Sequence, residues 1–188
     1  MKHLEFDEEK HLFTYKGVRV PSVTQILKDL GYLSPFYTKE GRERGKKVHE
    51  ATELFDLGRL DWDSVHKIKP YVRSYQQFLK RHKVTILGVE LEVFNKELWY
   101  AGILDRYAEV DEEYCLLSLK TGKYEWWHDL QETAYSMARE EVLTMFGGYM
   151  DKEGECAVKK KLGRPNARKI WEACVLVYHD KHKTKRAT

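Results

Sequence analysis

Seven polar side chains hold the chemical interest of this sequence: His49, Glu90, Asp105, Ser118, Lys120, Gln131 and Tyr135. Three of them fall in one stretch, Leu98-Trp-Tyr-Ala-Gly-Ile-Leu-Asp105, an acidic turn at Asp111-Glu-Glu113, then Tyr114-Cys-Leu-Leu-Ser118-Leu-Lys120-Thr-Gly122. Two β-rich runs around a short polar turn predict an antiparallel hairpin. Strand side chains alternate, so Ser118 and Lys120 share a face, and Asp105 is expected near the far end of the partner strand. A lysine flanked by Leu116, Leu117 and Leu119 needs a compensating charge, because an unpaired ammonium in a half-buried strand is costly. The hairpin thus gathers a carboxylate, a hydroxyl and an ammonium at one edge. Each polar residue alone has an ordinary explanation. His49 suits a surface or core, Glu90 a solvated strand face, Lys120 a snorkelling edge, and Gln131 and Tyr135 a helix. Their order along the chain is what singles them out.

The elements that must position them follow from hydrophobic spacing. Residues 12–20 read as a small hairpin turning at Lys16-Gly17, and Ser22 caps a helix that Gly31 closes. A loop over 32–40 leads to a helix from about Arg44 to Leu57, with Val48, Ala51 and Phe55 inward and His49 at the stripe's border. Residues 61–82 predict a third helix that Pro70 kinks or splits. The period then changes from 3.6 to 2, giving a strand over 84–94 with Leu87, Val89, Leu91 and Val93 on one face and Glu90 and Glu92 on the other. After the hairpin strands, 98–110 and 114–120, a helix is expected over 128–146, with Gln131, Tyr135 and Arg139 on one stripe. Gly147-Gly148 stops it, a mobile basic linker spans 151–169, a last strand covers 171–178, and a basic tail covers 180–188. The fold class is α/β in a single domain over 1–188, a mixed central sheet flanked by helices.

At 188 residues the chain can bury a core, and 42% hydrophobic and 13% aromatic content excludes a wholly disordered polymer. No apolar run reaches a membrane-spanning length and the start lacks signal-peptide character, so a cytoplasmic protein with no membrane partner is expected. Three scattered cysteines, Cys115, Cys156 and Cys174, argue against a disulfide framework, zinc or an iron–sulfur cluster. The net charge of +3 hides basic clusters at 41–47, 159–169 and 181–186, which favour a polyanionic partner.

Three motifs, Ala101-Gly-Ile-Leu-Asp105, Leu117-Ser-Leu-Lys-Thr-Gly122 and Gln131-Glu-Thr-Ala-Tyr135, resemble the PD-(D/E)XK nuclease superfamily in its RecB-type, phage-exonuclease branch. Pro21-Ser-Val-Thr-Gln-Ile-Leu27 and Arg44-Gly-Lys-Lys-Val-His49 are similar to segments preceding the core in phage members. The resemblance spans roughly residues 15–140 and implies a restriction-endonuclease-like core. By it, His49 and Asp105 would be metal ligands, Glu90 an accessory carboxylate, and Lys120 the group that orients the attacking water. Gln131 and Tyr135 would contact the substrate backbone. Mg2+, with Mn2+ as substitute, would be the cofactor, and the activity a phosphodiester hydrolysis of the kind used in phage recombination. A divalent ion on oxygen ligands supplies hydroxide at neutral pH and charge compensation.

One position departs from that pattern. The family has a carboxylate two residues before the lysine, and Ser118 stands there. A neutral hydroxyl is a poor ligand for a hard cation, so a weakened or inactive nuclease is expected. Three readings stay open: a residue altered to trap an inactive enzyme on its substrate, Glu90 acting in place of the carboxylate, or a pseudo-nuclease that only binds. The expected partner is DNA, without sequence preference. Arg42, Arg44, Lys46 and Lys47 would precede the His49 helix, whose free N–H groups favour phosphate. Trp126, Trp127 and Tyr124 are candidates for base stacking, or for core and lid. Exonuclease is favoured over endonuclease by family analogy alone. The alternative is a non-catalytic DNA-binding or assembly module, and an oligomer is possible. A small-metabolite enzyme is disfavoured, because no P-loop or dinucleotide fingerprint is present.

Overall fold

The computed structural model describes residues 3–33, 38–139, 143–154, 156–160 and 165–184. Parts of the expected 32–40 loop, the 128–146 helix, the 151–169 linker and the tail fall outside these residues. The chain begins with an antiparallel sheet of β1 (Leu4–Asp7), β2 (Leu12–Tyr15) and β3 (Val18–Val20). Lys16 and Gly17 both have positive φ, the two-residue turn whose twist matches a hairpin. β1 joins the hairpin expected over 12–20. Helix α1 (Val23–Asp29) opens on a complete capping box: Gln25 N donates to Ser22 Oγ at 3.1 Å, and Ser22 N donates to Gln25 Oε1 at 3.0 Å.

Helix α2 (Lys39–Asp56) starts earlier than its apolar stripe suggests, capped by Thr38. Arg42, Arg44, Lys46 and Lys47 therefore lie within the helix and do not precede it. Helix α3 (Lys69–Arg81) carries Pro70 in its first turn and is not kinked by it, since a first-turn proline gives up only an N–H that would be unpaired anyway. The segment before it, expected as helix, forms turns that still bury Val65 and Ile68.

The central sheet has the order β4 (Thr85–Asn95), β5 (Tyr100–Val110), β6 (Glu113–Lys120), β7 (Thr144–Met150) and β8 (Cys156–Lys160). Among its described strands β6 and β7 pair in parallel, across the helix α4 (Trp127–Arg139), and the other neighbours are antiparallel. The fold is thus the expected α/β class, a mixed sheet between helices. One core packs α1, α4 and the C-terminal helix α5 (Ala167–His182) on one side, and a second packs α2 and α3 on the other. No helix among the described residues is long and apolar enough to cross a membrane.

Three expectations about this sheet fail. The last strand is not 171–178, which is helical. Trp171, Cys174, Val175 and Tyr178 are buried at the 0, 3, 4 and 7 spacing, while Leu176 and Val177 face outward at 68% and 52% exposure. The helix expected over 128–146 is α4, Trp127–Arg139; residues 144–146 belong to β7, and Gly147-Gly148 does not stop a helix but lies inside that strand opposite Ser118 and Leu119. A Cβ on Gly147 would come within 2.6 Å of the Tyr149 ring, so crowding selects glycine there. The linker over 151–169 contains β8 and the start of α5, and α5 runs into the expected tail.

Strand β4 also breaks its predicted alternation. Its register slips between Ile86 and Gly88, leaving Leu87 at 47% exposure, and Glu90 takes a positive φ of 47°.

A helical C-terminus makes its two faces unequal. Trp171→Ala is expected to cost about 3–5 kcal/mol in urea unfolding, whereas Leu176→Lys should stay within about 0.5 kcal/mol. A comparable loss for both would contradict the helix.

Candidate metal centre and cavity

The ladder between β5 and β6 runs from Val110↔Glu113 to Arg106↔Leu117 and ends there. Beyond that point the Asp105 side chain takes over from the β5 backbone, its Oδ2 accepting the Leu119 N–H at 2.6 Å. Strand β5 finds a new neighbour on that side: Ala101 N donates to Pro21 O at 3.0 Å, and Ser22 bridges Ala101. Parting strands thus create the opening, and Asp105 sits mid-strand at its apex instead of near a strand end.

Four of the expected residues converge on this opening. His49 comes from α2, Glu90 from the distorted part of β4, Asp105 from β5 and Lys120 from the end of β6. One ligand atom each from His49, Glu90 and Asp105 lies within 4.8 Å of the others. His49 Nδ1 is 3.6 Å from Asp105 Oδ1, and Lys120 Nζ is 3.8 Å from Asp105 Oδ2.

The imidazole's orientation has chemical meaning. His49 Nε2 lies 2.9 Å from the Leu119 carbonyl, a contact that requires Nε2 to carry the proton. In the neutral ring Nδ1 is then a bare lone pair aimed at a carboxylate. Such an approach is favourable only if the ring is an imidazolium or a cation sits between them. An imidazole that donates its second nitrogen to a backbone carbonyl is the usual support of a metal-binding histidine. The donor set of one imidazole and two carboxylates suits manganese or magnesium.

Electrostatics at the centre are tightly opposed. Burial pushes the Asp105 carboxyl upward, yet His49, Lys120, the Leu119 N–H and Arg106 overcome it and hold its pKa below the ordinary value. Glu90 goes the other way. Burial, then the Asp105 charge, raise it to about 7 against the pull of Arg106.

Arg106 is the functional residue that sequence reasoning missed. It is wholly buried. Its Nε donates to Asp56 Oδ2 at 2.6 Å, Nη1 to Glu90 Oε1 at 3.1 Å and to the Asp105 carbonyl at 2.6 Å, and Nη2 to Thr52 Oγ1 at 3.3 Å. Tyr75 also donates to Asp56, at 2.9 Å. The signal was available: an arginine occupies the same parity as Leu104, Ala108 and Val110.

A cavity of about 410 Å3 opens from the centre, lined in part by His49, Asp105, Lys120, Gln131, Tyr135 and Arg44. Gln131 is 8% exposed; its Nε2 donates to Tyr135 Oη at 3.2 Å, while its Oε1 has no hydrogen-bond partner among the described residues. The cavity wall thus carries a hydrogen-bond acceptor. Gly102 lets the Tyr135 ring in, since a Cβ there would stand 2.6 Å from Cε1.

Other expected residues divide. Arg44 lines the cavity and donates to Thr121 O at 3.1 Å, its guanidinium 5.6 Å from the Tyr71 ring. Arg42, Lys46 and Lys47 are exposed along α2, whereas Thr38 and Gly41 bring its N-terminus to the cavity. Ser118 is buried at 4% exposure in β6, and Arg139 lies over the Tyr107 ring at 4.8 Å. Trp127 is buried and lines the cavity, while Trp126 packs edge-on against Tyr32 and Tyr124 donates to Asp129 Oδ2.

No family model and no curated protein matches the chain. Among solved structures, the crystal structure of a chain described as "Putative exonuclease" from Eubacterium rectale overlays 88% of this chain and 75% of its own. The identity is 13% and the TM-score 0.48.

The raised Glu90 pKa has a sign. Between about 4.5 and about 7 the folded metal-free state holds a proton that the unfolded chain has released, so stability falls as pH rises through that window. Glu90→Gln removes the effect. Metal-free Glu90→Gln is expected to gain stability relative to the parent between pH 5 and pH 8 in parallel urea titrations. A relative loss over that range would contradict the assignment.

Proposed function

We propose that this protein is a divalent-metal-dependent nuclease with a restriction-endonuclease-like core that hydrolyses phosphodiester bonds in DNA. The observation that carries this reading is the convergence of His49, Glu90 and Asp105 within 4.8 Å, with Lys120 beside Asp105 and a polar cavity in front. Mg2+ or Mn2+ held by His49, Glu90 and Asp105 would supply a hydroxide near neutral pH and offset charge on the phosphate.

The chain's own groups do the rest. Lys120 places an ammonium where the phosphate gains negative charge. Gln131 offers its Oε1 as an acceptor to an ordered water beside the phosphate, and Tyr135, which takes the amide N–H, fixes that amide's orientation. Arg44 and the N-terminus of α2 provide further positive potential at the cavity wall. Binding through the phosphates at these groups would be independent of base sequence. Exonucleolytic action in phage-type DNA processing is the finer assignment, and it follows from the resemblance of the motifs.

The place of Ser118 bears on activity. The family's second carboxylate is absent from β6, but Glu90 approaches from β4 and restores two negative charges to the cluster. This favours Glu90 as the substitute ligand. A buried hydroxyl at 118 favours the second reading, a DNA-binding protein without catalysis.

Cleavage of linear DNA with Mg2+ or Mn2+ separates the two. Asp105→Ala and Lys120→Ala are each expected to lower the rate by about 100-fold or more, and Ser118→Asp to raise metal affinity and cleavage. A parent protein that binds DNA without cutting it, and gains nothing from Ser118→Asp, is a binding module.

A further inference from the structure

A second cavity, of about 350 Å3, lies between the N-terminal sheet and α1, next to the metal centre's cavity. Thr24 and Tyr135 line both. Its walls differ from those of the catalytic cavity. Phe6 packs on Phe13 with ring centroids 4.5 Å apart and lies 6.1 Å from the His11 ring, so aromatic surface forms the floor. Lys10 and Lys28 stand at its rim, and no carboxylate is among its described lining residues. Lys10 shares its charge with Asp7 at 2.8 Å, which leaves Lys28, exposed on α1, as the stronger anion contact.

A third cavity borders the metal centre on its other side, sharing Thr121, Gly122 and Lys123 with the catalytic one. Tyr71, Tyr124 and Tyr149 line it, with Asp151 and Glu153 beside Lys123 and Lys152. Aromatic rings thus flank the centre in both directions, but of these two cavities only the third has carboxylates among its described lining residues, so a polyanion meets the more favourable charge beneath α1.

We propose that the cavity beneath α1 is a nucleobase subsite that receives unpaired nucleotides adjoining the scissile phosphate, which makes a single-stranded polynucleotide the ligand of this groove. The proposal rests on the nuclease reading. Bases stack on the Phe6 and His11 rings, which the buried Phe13 backs, and the phosphates between them meet Lys28 and Lys10. Stacking requires a free base face, which a paired base inside a duplex does not present.

Fluorescence anisotropy in EDTA, where no cleavage occurs, tests this with three labelled probes: a thymidine 15-mer, an abasic 15-mer with the same phosphates, and a blunt duplex. The thymidine strand is expected to bind at least about tenfold more tightly than the abasic one. Phe6→Leu, which keeps apolar volume but removes the ring, should weaken thymidine binding about fivefold and leave the abasic strand unchanged. Lys28→Glu, a surface change that leaves the core intact, should weaken both strands and reduce the salt dependence. Retained Mn2+ binding in calorimetry certifies that each variant is folded. Equal binding of thymidine and abasic strands, or unchanged thymidine binding in both variants, overturns the subsite. A blunt duplex bound as tightly as the thymidine strand, with the same sensitivity to both variants, also overturns it. Failure of the parent to bind Mn2+ or to cleave any DNA counts against the nuclease reading instead.

Discussion

The site depends on one buried guanidinium. Arg106 is inaccessible to solvent and faces Asp56, Glu90, Thr52 and the Asp105 carbonyl together. An unpaired charge in that setting would be prohibitive, and removing one partner of a buried pair costs about 3–5 kcal/mol. The fan of contacts therefore fixes the separation of β4, β5 and α2, the elements that carry Glu90, Asp105 and His49. It also offsets two carboxylates brought close together. Without a cation behind them, Glu90 and Asp105 would repel each other.

That constraint accounts for the distortion of β4. An L-residue at positive φ costs about 1–3 kcal/mol when the surrounding structure enforces it. Glu90 pays this in the same stretch where the ladder slips at Leu87. The return is a carboxylate that reaches the cluster from a neighbouring strand. The parting of β5 from β6 serves the same end. Once Asp105 replaces backbone as the partner of the Leu119 N–H, the Leu119 carbonyl is left to fix the His49 ring.

The sequence made some of this legible and hid the rest for physical reasons. The hairpin of β5 and β6, the Ser22 cap and the inward face of α4 follow from local periodicity and turn chemistry, and the structure has them. His49, Glu90, Asp105, Lys120, Gln131 and Tyr135 were marked as polar residues at ordered positions, and all six meet at one centre and its cavity. The first turns of α2 are hard to see in the sequence because a polar, glycine-punctuated start has no apolar stripe, and the Thr38 cap stands well ahead of that stripe. Helix α5 reads as a strand because its β-branched run masks the helical spacing of Trp171, Cys174, Val175 and Tyr178. Arg106 stayed hidden because a basic residue beside a candidate acid looks like a surface partner until burial is known. The role of Glu90 depends on a bulge, which period-2 reasoning cannot foresee.

The central claim is that His49, Glu90 and Asp105 hold one divalent cation in common. Pulsed electron paramagnetic resonance of the Mn2+-loaded protein tests it most directly. A single imidazole nitrogen coupling is predicted, present in the parent protein and lost in His49→Gln while the rest of the fold persists. A manganese spectrum with no nitrogen coupling, or one that survives that substitution, would contradict the account.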